Sequence, residues 1–235
     1  KERSQSTAEE LKQAIRTAKA LGLTVAMLTL TVPHRIHDDL GELLTGFTGS
    51  LGAVTGGRAW KGLRDTYGIA GYVRALEVTF GFKNGWHPHA HVLLFLNPDT
   101  NLDQLKKDIF PLWEKAVISR GLGAPSAAAM KLDGAEKAHA YVTKFGREWG
   151  VAEELVRSHT KSAREGGYSP FDLLGEYAYG NRKETSVKRF GALYREYCDV
   201  FHGRRQLQWS QGLKKRLLGS EGRTDAEIAD SLGKL

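Results

Sequence analysis

Apolar residues recur along this chain with two different periods. From residue 7 to residue 21 they fall at Leu11, Ala14, Ile15, Ala18 and Leu21, the spacing of a helix with one buried face. Thr7 and Glu10 stand where a capping box needs them, and Gly22 supplies a stop. Residues 24–32 (TVAMLTLTV) alternate instead. That predicts a strand ended by Pro33, with Val25, Met27, Thr29 and Thr31 on one face. Helical spacing returns over residues 40–54, interrupted by glycines and broken at Gly56-Gly57. Residues 72–82 and 86–96 are strand-like runs around Lys83-Asn84-Gly85, and an Asn-Gly pair between such runs predicts a hairpin. Helices are expected at 102–117 with a kink at Pro111, at 135–149, at 168–180 behind the Ser169-Pro170 start, at 188–201 and at 213–218. A short strand is expected at 127–132 and a short terminal helix within 224–235.

A length of 235 residues and a hydrophobic fraction of 41% suffice for one large core, or one core with an appendage. The longest apolar stretch, residues 92–96, is far short of a membrane span, and the sequence holds no signal-peptide core. Cys198 is the one cysteine, which excludes an internal disulfide and a cysteine zinc site built from this chain. The expectation is a soluble, intracellular domain. Residues 56–61 lack the G-x-x-x-x-G-K-[ST] spacing of a nucleoside triphosphate loop. Nearly all of the net charge of +7 comes from residues 187–216, where Lys188, Arg189, Arg195, Arg204, Arg205, Lys214, Lys215 and Arg216 meet only Glu196 and Asp199. Tyr194, Tyr197, Phe201 and Trp209 are interleaved with them. Two readings stand: a solvated helix face with core aromatics, or a groove that holds phosphates and stacks bases.

The densest chemistry lies in Trp86-His87-Pro88-His89-Ala90-His91-Val92. Residues two apart on a strand point the same way, so His87, His89 and His91 share one face. A hairpin looped at 83–85 pairs residues whose numbers sum to 168, with Glu77 opposite His91; a two-residue slip sets it opposite His89. Either register groups Glu77, His89 and His91. Two imidazoles and a carboxylate suit Mn²⁺ or Mg²⁺ with open positions. On the helix at 135–149, Ala138, Val142, Phe145 and Trp149 form an apolar stripe, and Tyr141 and Lys144 are neighbours on an adjacent face. A cation beside a phenol favours phenolate; the plainer reading is a core-edge tyrosine with a lysine lying over it.

Taken together, Leu28-Thr29-Leu30-Thr31-Val32, His89-Ala90-His91 and Tyr141-Val142-Thr143-Lys144 resemble, in order, the motifs of the HUH endonucleases. The nearest group is the rolling-circle plasmid replication initiators, the Rep proteins, and residues 203–213 (GRRQLQWSQGL) are also similar to them. The resemblance covers residues 24–218. It implies an α+β fold with a central, about five-stranded antiparallel sheet flanked by helices. It also implies metal-dependent nicking and joining of single-stranded DNA. Glu77, His89 and His91 would hold the metal, Tyr141 would attack the phosphate to leave a 5′-phosphotyrosine, and Lys144 would assist by charge. His87 would bind metal or phosphate. Thr29, Thr31, Lys137, Arg204 and Arg205 are the candidate DNA contacts.

Residues 1–186 would form the catalytic domain and 187–235 a basic helical extension. The implied partners are origin DNA bearing a hairpin, with host helicase and polymerase, in the bacterial cytoplasm and away from membranes. Relatives carry a Cys-rich segment upstream, so the chain has the look of an excised domain. Some relatives place a Glu four residues before the tyrosine to end replication; Lys137 stands there. The competing readings are a histidine-triad nucleotide hydrolase, which His87-Pro88-His89-Ala90-His91 fits literally, an HUH relaxase or transposase, and a DNA-binding module without catalysis.

Overall fold

Strand β1 (Thr24–Thr31) forms one of the inner strands of the sheet that the alternating residues build. It pairs with β3 (Gly85–Leu96) on one side and β4 (Met130–Asp133) on the other. Strand β2 (Gly71–Gly81) lies beyond β3, and β5 (Leu207–Trp209) closes that edge. The order is β4-β1-β3-β2-β5, every pairing is antiparallel, and helices flank the sheet: the fold is α+β. The computed structural model describes residues 2–148, 167–180 and 183–219, with side chains from residue 7 onwards and, between 135 and 148, as far as Thr143.

The two sheet faces differ. Leu28, Leu30, Leu76, Val92 and Leu94 face the larger core under helices α2 (Leu40–Gly56) and α4 (Leu102–Ser119), where Phe47 and Trp113 meet edge-on at 5.7 Å. Helices α3 (Arg58–Tyr67), α6 (Pro170–Tyr179) and α7 (Glu184–Phe201) complete that side through Trp60, Leu173, Phe190 and Phe201. On the opposite face Val25, Val73, Leu93 and Phe95 are covered by α1 (Glu2–Ala20), α5 (Ala135–Glu148) and α8 (Leu213–Leu218). Each such fully buried side chain contributes about 1.5–3 kcal/mol. This apolar patch occupies only one half of the second face. The other half carries Thr29, Thr31, Glu77, Thr79, His87, His89 and His91, so the burial that anchors α1 and α5 holds the polar half in place without covering it.

Several boundaries depart from expectation. Helix α1 begins at Glu2, so Thr7 lies inside it rather than capping it; residues 2–6 contain no helix breaker and the helix propagates through them. Its end is as expected: Gly22 takes φ +74°, and Leu23 and Gly22 donate to the carbonyls of Ala18 and Lys19. Helix α3 was not foreseen, although Trp60, Leu63 and Tyr67 repeat helically. Helix α2 persists through its glycines, and two of them lie close to neighbours: a Cβ at Gly46 would lie 3.0 Å from Leu122, and one at Gly49 would lie 2.7 Å from the end of the flexible Arg120 side chain. Residues 127–129 form a 3₁₀ turn, which leaves β4 shorter than the run suggests. Helix α4 is continuous through Pro111, α6 carries the expected cap at Ser169, and α7 starts four residues earlier than read. Residues 224–235 lie outside the described residues.

The hairpin register is the informative correction. Gly85 pairs with Gly81, so the turn is Phe82-Lys83-Asn84, paired residues sum to 166 and Glu77 lies opposite His89. Asn84 donates to the Gly81 carbonyl at 3.1 Å, and Gly85, at φ +78°, enters the strand. The slip is an even one, so no side chain changes face. Gly85 is confined twice over, because a Cβ there would lie 2.6 Å from the Arg35 carbonyl oxygen and 2.8 Å from Ile36 Cα. Gly85→Ala should therefore cost about 3 kcal/mol, combining left-handed strain with overpacking. A urea-midpoint loss below about 1 kcal/mol would mean that the 35–36 backbone yields freely.

Candidate metal centre and tyrosine site

The site is assembled from cross-strand rows. Thr31, His89 and Glu77 form one row across β1, β3 and β2, and Thr29, His91 and Ala75 the next. Above them α5 turns Ala138 and Val142 into the smaller core, which leaves Tyr141 beside His91 with ring centroids 4.6 Å apart. Tyr141 donates its hydroxyl hydrogen to Glu77 Oε1 at 2.6 Å. The other Glu77 oxygen lies 3.2 Å from His89 Nε2 and 3.8 Å from His91 Nε2.

The remaining ring nitrogens fix the imidazole orientations. His89 Nδ1 lies 3.2 Å from the His87 carbonyl, which can only accept, so that nitrogen carries hydrogen and Nε2 points at the carboxylate. His91 Nδ1 meets Thr29 Oγ1 at 3.1 Å. Glu77, His89 and His91 thus offer ligand atoms that all lie within 4.8 Å of one another. Two imidazole nitrogens and one carboxylate, each oriented by a second hydrogen bond, fit a divalent ion that keeps open positions. Burial pushes the Glu77 pKa up, but the close contact with His89, the charges of His91 and His89 and the Tyr141 hydroxyl outweigh it, and the carboxyl sits below its ordinary value. Burial lowers His91 as well, against the pull of Glu77.

His87 stands apart from that cluster. It stacks on His89 at 5.5 Å, and its Nδ1 lies 2.7 Å from His34 Nε2. His34 Nδ1 in turn faces the Asn84 carbonyl at 2.9 Å, so in the neutral pair hydrogens run from His87 to His34 to Asn84, and His87 Nε2 keeps a lone pair. Sequence reading missed His34, which follows Pro33 in a connection without periodicity. Burial, with the neighbouring imidazoles of His89 and His34, lowers the His87 pKa to about 4 from an ordinary 6.5. The unfolded chain binds that proton near pH 6.5 and the folded chain refuses it until about pH 4. The unfolded state therefore gains protons first, and stability falls as pH drops through this window. Urea midpoints should decline between pH 7 and pH 4.5, and His87→Gln should flatten the decline; an equal decline in both proteins would assign it elsewhere.

The other anticipated residues are scattered. Thr31 donates to the Ala129 carbonyl at 3.3 Å. Lys137 is exposed one turn before Tyr141; Lys144 lies one turn after it, with its side chain outside the described residues. Arg204 donates to the Val200 carbonyl and to Thr45 on α2, on the sheet side opposite the histidines, and Arg205 is exposed nearby. The basic run as a whole is divided by the sheet, with α7 on the larger core and α8 on the smaller. Part of it is engaged within the fold: Lys188 with Glu184, Arg189 over Phe82, and Lys214 with Glu10.

Comparison with known proteins supplies a likeness to replication proteins. Residues 1–116 match the family model described as replication protein. The chain is also 28% identical to a protein named Protein rep from Streptomyces lividans, across 96% of this chain. Over residues 1–116 the chain is similar to the replication protein family. It spans 62% of the length of that Streptomyces relative. A protein from Streptomyces cyanogenus named neomycin resistance protein is 29% identical over 39% of the chain and 26% of its own length. No solved structure matches. The family match contains Glu77 and all three strand histidines, whereas Tyr141 lies beyond it. Among the described residues no helix is long and apolar enough to cross a membrane.

Proposed function

We propose that this chain is the nicking and joining part of a rolling-circle plasmid replication initiator of the HUH type. It would act at a replication origin on single-stranded DNA bearing a hairpin. The observation that carries this reading is the division of Glu77: one oxygen accepts from the Tyr141 hydroxyl while the other faces His89 and His91. A nucleophile and a metal-ligand set thereby meet on one carboxylate.

A bound Mn²⁺ or Mg²⁺ would polarise a phosphate at the site. Glu77, His89 and His91 would hold the ion, and Thr29 would keep His91 oriented through Nδ1. Tyr141 Oη would form a bond to phosphorus as the bond to the 3′ oxygen breaks, leaving a 5′-phosphotyrosyl ester. The phenolic proton has Glu77 Oε1 as its nearest acceptor, and the departing 3′ oxygen takes a proton from solvent. The free 3′-OH then serves as primer, and attack by a second 3′-OH reverses the step and joins strands. Lys144 would stabilise the charge that develops at Tyr141. His87 would bind metal through its Nε2 lone pair or, when protonated, donate to a phosphate oxygen, and Thr31, Lys137, Arg204 and Arg205 are proposed DNA contacts. Host helicase and polymerase would follow, in a bacterial cytoplasm. Residues 187–235 are the proposed DNA-binding extension.

The test mixes the chain with an origin-derived oligonucleotide and Mn²⁺. A denaturation-resistant protein–DNA adduct should form and EDTA should prevent it. Metal-independent hydrolysis of a nucleoside phosphoramidate, lost in His89→Ala, would replace this reading with a histidine-triad hydrolase.

A further inference from the structure

The row that contains His91 continues to the edge of the sheet. Thr29 pairs with His91 on one side and with Lys131 on the other. Paired residues share a face, so Lys131 points to the side of the sheet that carries the ligand cluster. Its neighbours agree, since Met130 is fully buried in the larger core and Leu132 packs against the same core. Two strand spacings set the Lys131 and His91 Cα atoms about 10 Å apart, within the combined reach of a lysine stem and a phosphate chain crossing the site. Lys131 is exposed, and its ammonium has no hydrogen-bond or ion-pair partner among the described residues. Strand β4 is also the element from which α5 departs with Tyr141, so Lys131 stands at the tyrosine end of the open half-face.

We infer that Lys131 binds a backbone phosphate of the single-stranded DNA next to the one at the ligand cluster, and so positions the strand across Thr29 and Tyr141. The inference rests on the DNA-nicking reading above. It makes Lys131 a positioning residue whose contact is independent of base sequence. The bland role for a lysine on an edge strand is to deter pairing with another chain. That role leaves the salt dependence of DNA binding unaffected, which separates the two.

The experiment follows fluorescence anisotropy of a labelled oligothymidylate against salt concentration, with the whole chain. Lys131→Gln should make the slope of log K against log salt shallower by about 0.7, one single-strand phosphate contact. Lys131→Arg should restore it, and Lys115→Gln, an exposed change on α4 across the sheet, should leave it unaltered. In the adduct assay Lys131→Gln should raise the DNA concentration for half-maximal yield and leave the saturated rate unchanged. A parental slope in Lys131→Gln, or an equal loss in Lys115→Gln, overturns the inference even while adduct forms normally. A parent chain that neither binds the oligonucleotide nor forms adduct overturns both readings.

Discussion

Tyr141→Phe should abolish the covalent DNA adduct while leaving divalent-metal binding within a few-fold of the parent. Phenylalanine removes the proposed nucleophilic oxygen and retains the ring that packs on His91 at 4.6 Å. The fold should therefore hold. The loss expected on deleting a nucleophile is at least roughly 10⁴-fold in rate. Because the Tyr141 hydroxyl is one of the groups that hold the Glu77 pKa down, the variant should also raise that pKa slightly, in the same direction as burial. A labelled oligonucleotide on a denaturing gel reads the adduct, and a Mn²⁺ titration of the same sample reads the metal. Persistent adduct in the variant would transfer the nucleophile to another residue.

The parts of this site that sequence could reveal are those governed by a local period. Strand parity alone puts His87, His89 and His91 on one face, and that survives an error in the turn because the actual register differs by an even step. Helical spacing alone turns Ala138 and Val142 inward and leaves Tyr141 beside them. Parity also contains the signal for Lys131, in the alternation Met130-Lys131-Leu132, but only the pairing with β1 shows which face the lysine takes. What was illegible depends on contacts between distant segments. His34 reaches His87 across 53 positions of sequence, and Trp86 reaches Glu196 across 110. Strand β5 is three residues long, too short for any period. The charge between residues 187 and 216 is contiguous in sequence, yet β5 carries the chain along the sheet edge and distributes that charge to opposite faces. A net charge thus locates no binding surface by itself.

The second large loss is expected from Glu77→Gln, and it should differ in kind. The amide is the same size, so the half-buried position and the hairpin pairing with His89 should be kept. It removes the one carboxylate of the candidate ligand cluster, and its NH₂ group must face either the imidazole nitrogens or the Tyr141 hydroxyl. Losing a partner outside a coordination shell typically costs ten- to a hundredfold in metal affinity, so losing the charged ligand itself should cost about a hundredfold or more. Adduct formation should fall in parallel at limiting Mn²⁺ and recover in part as the ion is raised, whereas Tyr141→Phe should not recover at any concentration. Calorimetric titration with Mn²⁺ measures the first effect, and adduct yield across the same titration measures the second. If Glu77→Gln binds Mn²⁺ as the parent does and still forms no adduct, Glu77 serves the phenol alone. The two imidazoles would then have to find a third ligand from water or DNA. If instead both affinity and recovery follow the expected course, the single carboxylate between Tyr141 and the histidine pair is what couples strand cleavage to the metal.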